Sequence, residues 1–454
     1  MKAYRWQKEA LEAWKQDDLS FPGYGKMTVA AVTGAGKTHF AKMVVQHESQ
    51  RLGRKEYLCV HVVVPTRALM VQWRDAIDAA IVTDAKPQKR IGRTGGGSIK
   101  GWPNCVVYER AVQWNIVSLN AMREGKHTWP PYDADNLVIV DECHNLRGEK
   151  SSRALDNIPE DTKVLGLSAT PHPSPEAAQI VERLCGPIGY RYRYAQALQD
   201  GVIPPFVLKA VALPLSREEQ SEVDSITDTL KSVMRSANRE HGAERRRLIA
   251  IAKACGLKRK RALNAARSRI HMALRVVNHH GPDVPTMLFH NTTEAVDRLA
   301  ELSHHLNPAV YHSNLSANSP FADVKDFVSG DTNHLYSCLA LTEGFNVPRV
   351  KVAIMMSGPN APLKRIQTLG RCLRGRSDEP NVIYFFYIKG TKDEDGLHNL
   401  LREGDIPSEV VEHYAMNDEW MEPTSPPAEA RNWWQQLCDD VDNMTADDFF
   451  AEWS

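Results

Sequence analysis

The sequence carries no excess of either charge: 56 Lys and Arg stand against 56 Asp and Glu in 454 residues. Net charge therefore argues neither for nor against a nucleic-acid partner, and local distribution has to decide. No apolar run approaches the roughly 18 residues that cross a bilayer, so no membrane partner is expected. The N-terminal MKAYRWQKEALEAW mixes charge with aromatics and lacks the apolar core of a signal peptide. The eight cysteines include no CxxC pair. That argues against a zinc site and a disulfide framework, and it fits a reducing cytoplasm. His279-His280 and His304-His305 are neighbours that point to different sides of a helix, and both pairs read as surface histidines. The length exceeds one core and implies two or three domains.

What is present begins at AAVTGAGKTHF (30–40). Ala31, four residues, then Gly36-Lys37-Thr38 is the spacing of a phosphate-binding loop. The apolar run MTVAAV precedes it and the helix-periodic THFAKMVVQHESQRL follows, the strand–turn–helix context such a loop needs. In the turn Thr33-Gly34-Ala35-Gly36, the two glycines let backbone N–H groups face phosphate oxygens. The helix start adds positive potential. Lys37 is expected on the β and γ phosphates of ATP, and Thr38 on magnesium.

A second signal is NLVIVDECHNL (136–146), an apolar strand that ends in two carboxylates and a histidine. Ligands of parallel sheets lie at the carboxyl ends of strands. Asp141 is expected beside the magnesium, and Glu142 is expected to orient and deprotonate the attacking water.

These motifs in this order resemble those of the superfamily 2 helicases, the DExH-type nucleic-acid translocases. Asp141-Glu142-Cys143-His144 matches that family's second motif. YRWQKEALEAW (4–14) looks like its opening segment, and the resemblance implies adenine contacts from Trp6 and Gln7. Arg5 stands two residues before Gln7, where the family usually has Arg three before. VVVPTRALMVQW resembles motif Ia and implies that Pro65, Thr66 and Arg67 meet a nucleic-acid backbone. GLSATP implies coupling through Ser168 and Thr170, with His144. PTMLFHNTTEAVDRLAEL (285–302) resembles motif IV. LALTEGFNVPRV resembles motif V, with Gly344 toward the nucleotide and Asn346 at its usual acidic position. IQTLGRCLRGR matches motif VI and implies catalytic roles for Gln367, Arg371 and Arg374, the arginines neutralising γ-phosphate charge when two lobes close.

The resemblance implies an α/β protein of two RecA-like parallel-sheet lobes: lobe 1 over 1–195, a connector and basic helical insertion over 196–284, lobe 2 over 285–395, and an extension with a short acidic, aromatic tail over 396–454. Residues 215–280 lack proline, and their period predicts two or three helices. Fourteen Lys or Arg lie between Lys231 and Arg275, against Glu240 and Glu244. Arg245, Arg246, Arg247, Lys258, Arg259, Lys260 and Arg261 are the candidates for backbone phosphates; a solvated or internally docked face is the alternative. From Asp418 onward the sign reverses, Arg431 being the one base, and Trp433, Trp434, Phe449, Phe450 and Trp453 suit docking on the chain itself or on a protein partner through 428–454. QTLGRCLR, PTRALMVQW, IGRTGGGS (91–98) and DGVIPPF (200–206) are closest to the DNA-directed branch of XPB-type, RadD-like and phage UvsW-type proteins and restriction translocases. A cytoplasmic, nucleoid-associated, ATP- and magnesium-dependent DNA motor of a bacterium, archaeon or phage is therefore expected. An RNA helicase and a nucleotide-gated switch subunit are the alternatives.

Overall fold

The computed structural model describes residues 3–17, 25–51, 57–78, 91–99, 102, 112–127, 129, 134–146, 158–159, 161–171, 175–312, 320–338, 350–357, 379–404 and 406–427. These fall into two compact units, one running to Ile203 and one starting at Pro204.

The first unit is a parallel sheet in the order β3-β4-β2-β5-β6-β1-β7. Its strands are β1 (Lys26–Ala31), β2 (Tyr57–Val64), β3 (Ile91–Thr94), β4 (Val112–Ser118), β5 (Ala134–Asp141), β6 (Lys163–Ser168) and β7 (Ile188–Tyr192). The helices are α1 (Arg5–Asp17), α2 (Lys37–Ser49), α3 (Arg67–Asp78), α4 (Leu119–Arg123), α5 (Pro175–Cys185) and α6 (Tyr194–Gln199). A parallel sheet is covered on both faces, so its strands read as unbroken apolar runs rather than alternating ones. LVIV of β5 and VLGL of β6 fit this; Leu137, Val138, Ile139, Val140, Val164, Leu165 and Leu167 are all buried. Burying each such side chain contributes roughly 1.5–3 kcal/mol. The parallel register Leu137↔Lys163 to Asp141↔Leu167 brings the end of β5 level with the end of β6, beside β1.

The second unit has the order β10-β11-β9-β12-β13-β8-β14-β15. Its strands are β8 (Phe206–Leu213), β9 (Thr286–His290), β10 (Ala309–Tyr311), β11 (His334–Cys338), β12 (Val352–Met355), β13 (Asn381–Ile388), β14 (Val411–Met416) and β15 (Met421–Pro423). All pairings are parallel except the β14–β15 hairpin. Strand β8 sits between β13 and β14, so this unit begins well before residue 285. The reason is local: FVLKAVAL is apolar enough to be a central strand, and it pairs along its whole length from Phe206↔Asn381 to Leu213↔Ile388.

Three helices then follow: α7 (Arg217–Arg239), α8 (Gly242–Asn264) and α9 (Arg267–His280). Helix α7 starts at a reciprocal cap: Ser216 Oγ accepts the Glu219 N–H at 3.2 Å while Glu219 Oε2 accepts the Ser216 N–H at 2.9 Å. Its stripe Val223, Ile226, Leu230, Met234 and Ala237 is buried along α8, which buries Ile249, Ala252 and Leu263 in turn. Helix α9 lies in the core proper, where Met272, Ala273, Val276 and Val277 join Val211, Leu288 and Tyr384 of the sheet. Helices α10 (Thr293–Leu302), α11 (Pro320–Ser329) and α12 (Lys392–Gly404) complete the unit. No helix among the described residues is long and apolar enough to cross a membrane.

Candidate active site

The loop between β1 and α2 turns at Gly34 and Gly36, with φ of 87° and 90°, in the left-handed region that a side chain disfavours. A Cβ at Gly36 would also lie 3.0 Å from Gln7 Nε2. Helix α1 holds this loop from behind. Gln7 Nε2 donates to the Gly36 carbonyl at 3.0 Å, and Trp6 Nε1 donates to the Ala35 carbonyl at 3.2 Å. His39 and Phe40 N–H groups also donate to the Gly36 carbonyl as α2 begins. The loop carbonyls are thus occupied, while the first N–H groups of α2 have no intrahelical acceptor. That polarity suits an anion.

Trp6 itself does not offer a ring face. It is 1 % exposed and stacks on Tyr192, with centroids 5.1 Å apart. Phe40 lies 5.7 Å away. Trp6, expected on adenine, is here buried among Tyr192, Tyr190 and Phe40 and anchors the loop through the Ala35 carbonyl. The exposed aromatic at this place is Tyr4, 39 % exposed, whose ring reaches within 4.0 Å of where a Gly36 Cβ would stand. Its N–H donates to Gln7 Oε1 at 2.9 Å. Tyr4 occupies the position three before the glutamine, a signal present in the sequence.

Lys37 Nζ donates to the Ala31 carbonyl at 3.0 Å, folded onto the end of β1. Its charge reaches Asp141 and draws that carboxyl down. Burial and the neighbouring Glu142 outweigh this and push Asp141 up to about 6. Both Asp141 oxygens accept: Oδ2 from Trp73 Nε1 at 2.7 Å, Oδ1 from the Glu142 N–H at 3.0 Å. Trp73, the last residue of VVVPTRALMVQW, was not singled out by sequence; only the fold shows that α3 aims it at β5.

Glu142 has φ 51° and ψ 51°, a left-handed conformation costly for a residue with a side chain. It leaves Oε2 buried with no hydrogen-bond partner among the described residues, 3.4 Å from His144 Nδ1. The same nitrogen is 2.9 Å from Ser168 Oγ, which accepts the Thr170 N–H at 3.1 Å. Asn145 Nδ2 donates to the Glu142 carbonyl and lies 3.1 Å from His144 Nε2. A continuous polar chain therefore runs from Glu142 through His144 and Ser168 to Thr170. Thr33 Oγ1 and Thr170 Oγ1 are likewise buried without partners among the described residues.

Comparison with known proteins bears directly on these motifs. Residues 1–173 match the family "Type III restriction enzyme, res subunit", and residues 268–376 match "Helicase conserved C-terminal domain". The chain thus carries a restriction-subunit-type motor domain followed by a helicase C-terminal domain. It is 25 % identical over 402 residues to the "DNA 3'-5' translocase XPB2" of Sulfurisphaera tokodaii, covering 86 % of this chain and 82 % of that one. It spans 55–56 % of three uncharacterized mycobacterial relatives. The ATP-dependent Type ISP restriction-modification enzyme LlaBIII, solved bound to DNA, superposes with a TM-score of 0.61 at 14 % identity over 97 % of this chain and 32 % of that one. The Pyrococcus furiosus Hef helicase domain superposes with 0.53 at 16 % identity, over 87 % and 97 %. The fold is thus the two-lobed helicase fold, and the helicase domains make the protein an ATP-hydrolysing enzyme.

In this helicase, Thr66 caps α3: its Oγ1 accepts the Leu69 N–H at 3.3 Å. Pro65 is half-buried, and Arg67 is exposed and donates to the Ser98 carbonyl. That bond ties motif Ia to the Gly95-Gly96-Gly97 turn, whose φ values are 83°, 77° and 63°. Buried Arg93 holds the turn from inside through the carbonyls of Gly95 and Gly97.

The basic candidates separate. Arg246, Arg247, Lys258 and Arg261 are exposed; Arg245 and Lys260 are half-buried. Arg259 is only 6 % exposed and donates to Thr227 Oγ1 at 2.9 Å. Burial lowers it to about 10, against the pull of Asp393 and Asp224. Its expected phosphate contact is corrected: the helical phase turns it inward, against α7. Arg269 is also internal, binding the Leu263 and Met356 carbonyls and Asp393, and Arg275 binds the Asn417 and Asp418 carbonyls. His280 departs from its surface reading. Its Nε2 lies 3.1 Å from Tyr384 Oη, and burial lowers it to about 4. Gly344, Gln367, Arg371 and Arg374 lie outside the described residues, as does the tail from 428.

Proposed function

We propose that the protein is a DNA-stimulated ATPase that moves along, or unwinds, DNA with little sequence specificity. One observation carries the reading: the glycine turn that follows β1 and the acid pair that ends β5 lie at the carboxyl ends of the two strands flanking β6 in one parallel sheet. Lys37 holds the β and γ phosphates. The donors Thr38 and Asp141 are hard oxygens, a set that fits magnesium; when bound, the ion supplies positive charge at the phosphate oxygens. Trp73 fixes the orientation of Asp141. Glu142, whose buried Oε2 accepts no hydrogen bond among the described residues and lies 3.4 Å from His144 Nδ1, takes the proton of the attacking water. His144, Ser168 and Thr170 carry the state of that carboxylate away from the site. Tyr4 and Gln7 frame the base, with Gly344 toward the nucleotide. Gln367, Arg371 and Arg374 act on the γ phosphate, where an arginine is typically worth about 10³–10⁵ in rate.

The long match to a named DNA translocase supports DNA over RNA. The match to a restriction-enzyme motor subunit supports work in repair, recombination or defence against foreign DNA. Pro65, Thr66, Arg67 and the exposed bases of α8 contact the backbone. Phosphate contacts position a protein without reading sequence.

The test is phosphate release by wild type and Lys37→Ala with no nucleic acid, single-stranded DNA, duplex DNA, forked DNA or RNA. Stimulation by DNA, absent in the variant, is expected. Stimulation by RNA alone would move the protein to the RNA helicases, and none by any substrate would leave a nucleotide-gated switch.

A further inference from the structure

Helix α8 has two faces of different character. One is buried and carries Ile249, Ala252, Arg259 and Leu263. The other is exposed, and seven residues fall on it at helical spacing: Arg247, Ala250, Ile251, Ala254, Leu257, Lys258 and Arg261. Leu257 is 52 % exposed and Ile251 39 %, two of the five large apolar side chains this open among the described residues. From Arg247 to Arg261 the stripe is about 21 Å long at the helical rise of ~1.5 Å per residue. A basic surface meant only for phosphates gains nothing from Ile251 and Leu257, because phosphate oxygens are polar. Apolar side chains between bases fit a partner with apolar side chains between acids.

The chain carries such a segment. Residues 428–454 hold seven acids (429, 439, 440, 442, 447, 448 and 452) and one base, Arg431. Between them stand Trp433, Trp434, Leu437, Val441, Phe449, Phe450 and Trp453. Trp434, Leu437 and Val441, then Phe449, Phe450 and Trp453, recur three and four apart. The segment starts five residues after the end of β15, on the same unit as α8, and is 27 residues long. Fully extended these reach about 90 Å, well beyond the ~35 Å length of α8. The chain leading to the segment already lies on the neighbouring helix, since Arg275 of α9 donates to the backbone carbonyls of Asn417 and Asp418.

We propose that residues 428–454 dock on the exposed face of α8, their aromatic side chains on Ile251, Leu257 and the alanines, their carboxylates beside Arg246, Arg247, Lys258 and Arg261. The docked tail occupies the bases assigned above to the DNA backbone, so DNA and tail compete for one surface.

The test uses the full-length protein. A zero-length carbodiimide joins Lys258 Nζ to a carboxylate in contact with it, and mass spectrometry of a mixture of ¹⁴N- and ¹⁵N-labelled chains maps the links. Links from Lys258 to Asp439, Asp440, Asp442, Asp447 or Asp448 within one isotope class are expected. They should be lost in the Ile251→Glu/Leu257→Glu double variant, whose changed positions are exposed. Mixed-isotope links would assign the face to a second copy. Links from other lysines with none from Lys258 would overturn docking on α8. Neither readout depends on ATP hydrolysis or DNA, so the proposal can fail while the motor reading stands. With Asp439→Asn, Asp440→Asn and Asp442→Asn combined in the full-length chain, which leaves the α8 face unchanged, DNA affinity at low salt should rise several-fold; unchanged affinity alongside intact Lys258 links in wild type would overturn the competition.

Discussion

At the residue scale, Trp73 fixes the acid pair through Asp141 Oδ2. Trp73→Phe keeps an aromatic ring there, a smaller one, and removes the N–H that orients Asp141. Losing a partner that orients a metal-binding side chain typically costs about 10–100-fold in metal affinity. The magnesium concentration for half-maximal ATPase should rise by about that much, with kcat at saturating magnesium falling far less; an unchanged magnesium response would mean that Asp141 holds no ion. Glu142→Gln should bind ATP without turnover and tighten nucleic-acid binding, followed by fluorescence anisotropy; normal turnover would remove Glu142 from the base role. The glycine turn, the lysine and the acid pair were legible in sequence because their chemistry requires those residue types at fixed spacing. Trp6 was not, because whether an aromatic is a platform or an anchor depends on what covers its faces, here Tyr192 and Phe40. Trp73, Tyr4 and the inward turn of Arg259 likewise follow from contacts between distant segments.

At the element scale, several histidines sit where charge cannot follow. His61 on β2 is fully buried against Asn136, His127 and Trp129, and burial lowers it to about 3. His127, His280, His290 and His334 are lowered to about 4, burial first among the causes. Each stays neutral in the folded chain at a pH where the unfolded chain, near 6.5, takes up a proton. The stability this reflects is complete above pH 6.5 and is lost as pH falls toward 4. For His61 the loss by pH 5 is about 2 kcal/mol. Thermal melts from pH 8 to pH 5 should show a steep fall that His61→Gln makes shallower; a flat profile would contradict the burial of these rings. Strand–helix pairs such as β9–α10 were readable from TMLFHNTTEAVDRLAEL, since the period changes from two-sided burial to one-sided within it. The helices after β8 were readable too, as two or three. The place of β8 was not, because an apolar octapeptide says that it is buried but not between which strands.

At the scale of the whole molecule, the basic helices should show which charges face solvent. Arg247→Ala or Lys258→Ala should each reduce the slope of log affinity against log salt by about 1 for duplex DNA. Arg259→Ala should leave that slope alone and lower the unfolding midpoint instead, because its partner is Thr227. Equal slope changes from all three would mean that Arg259 reaches the phosphates after all. The position of β8 has a further consequence, for synthesis. Among the described residues every strand of the first sheet lies between Lys26 and Tyr192, so that sheet can form while the rest is being made. β8 leaves the ribosome next, but its neighbours begin at Asn381 and Val411. At ordinary translation rates it waits roughly ten to thirty seconds for the first of them. Through that interval both edges of β8 stay open, while the helices made directly after it already carry the side chains, Val223, Leu263 and Met272 among them, that cluster with its Val211 and Leu213.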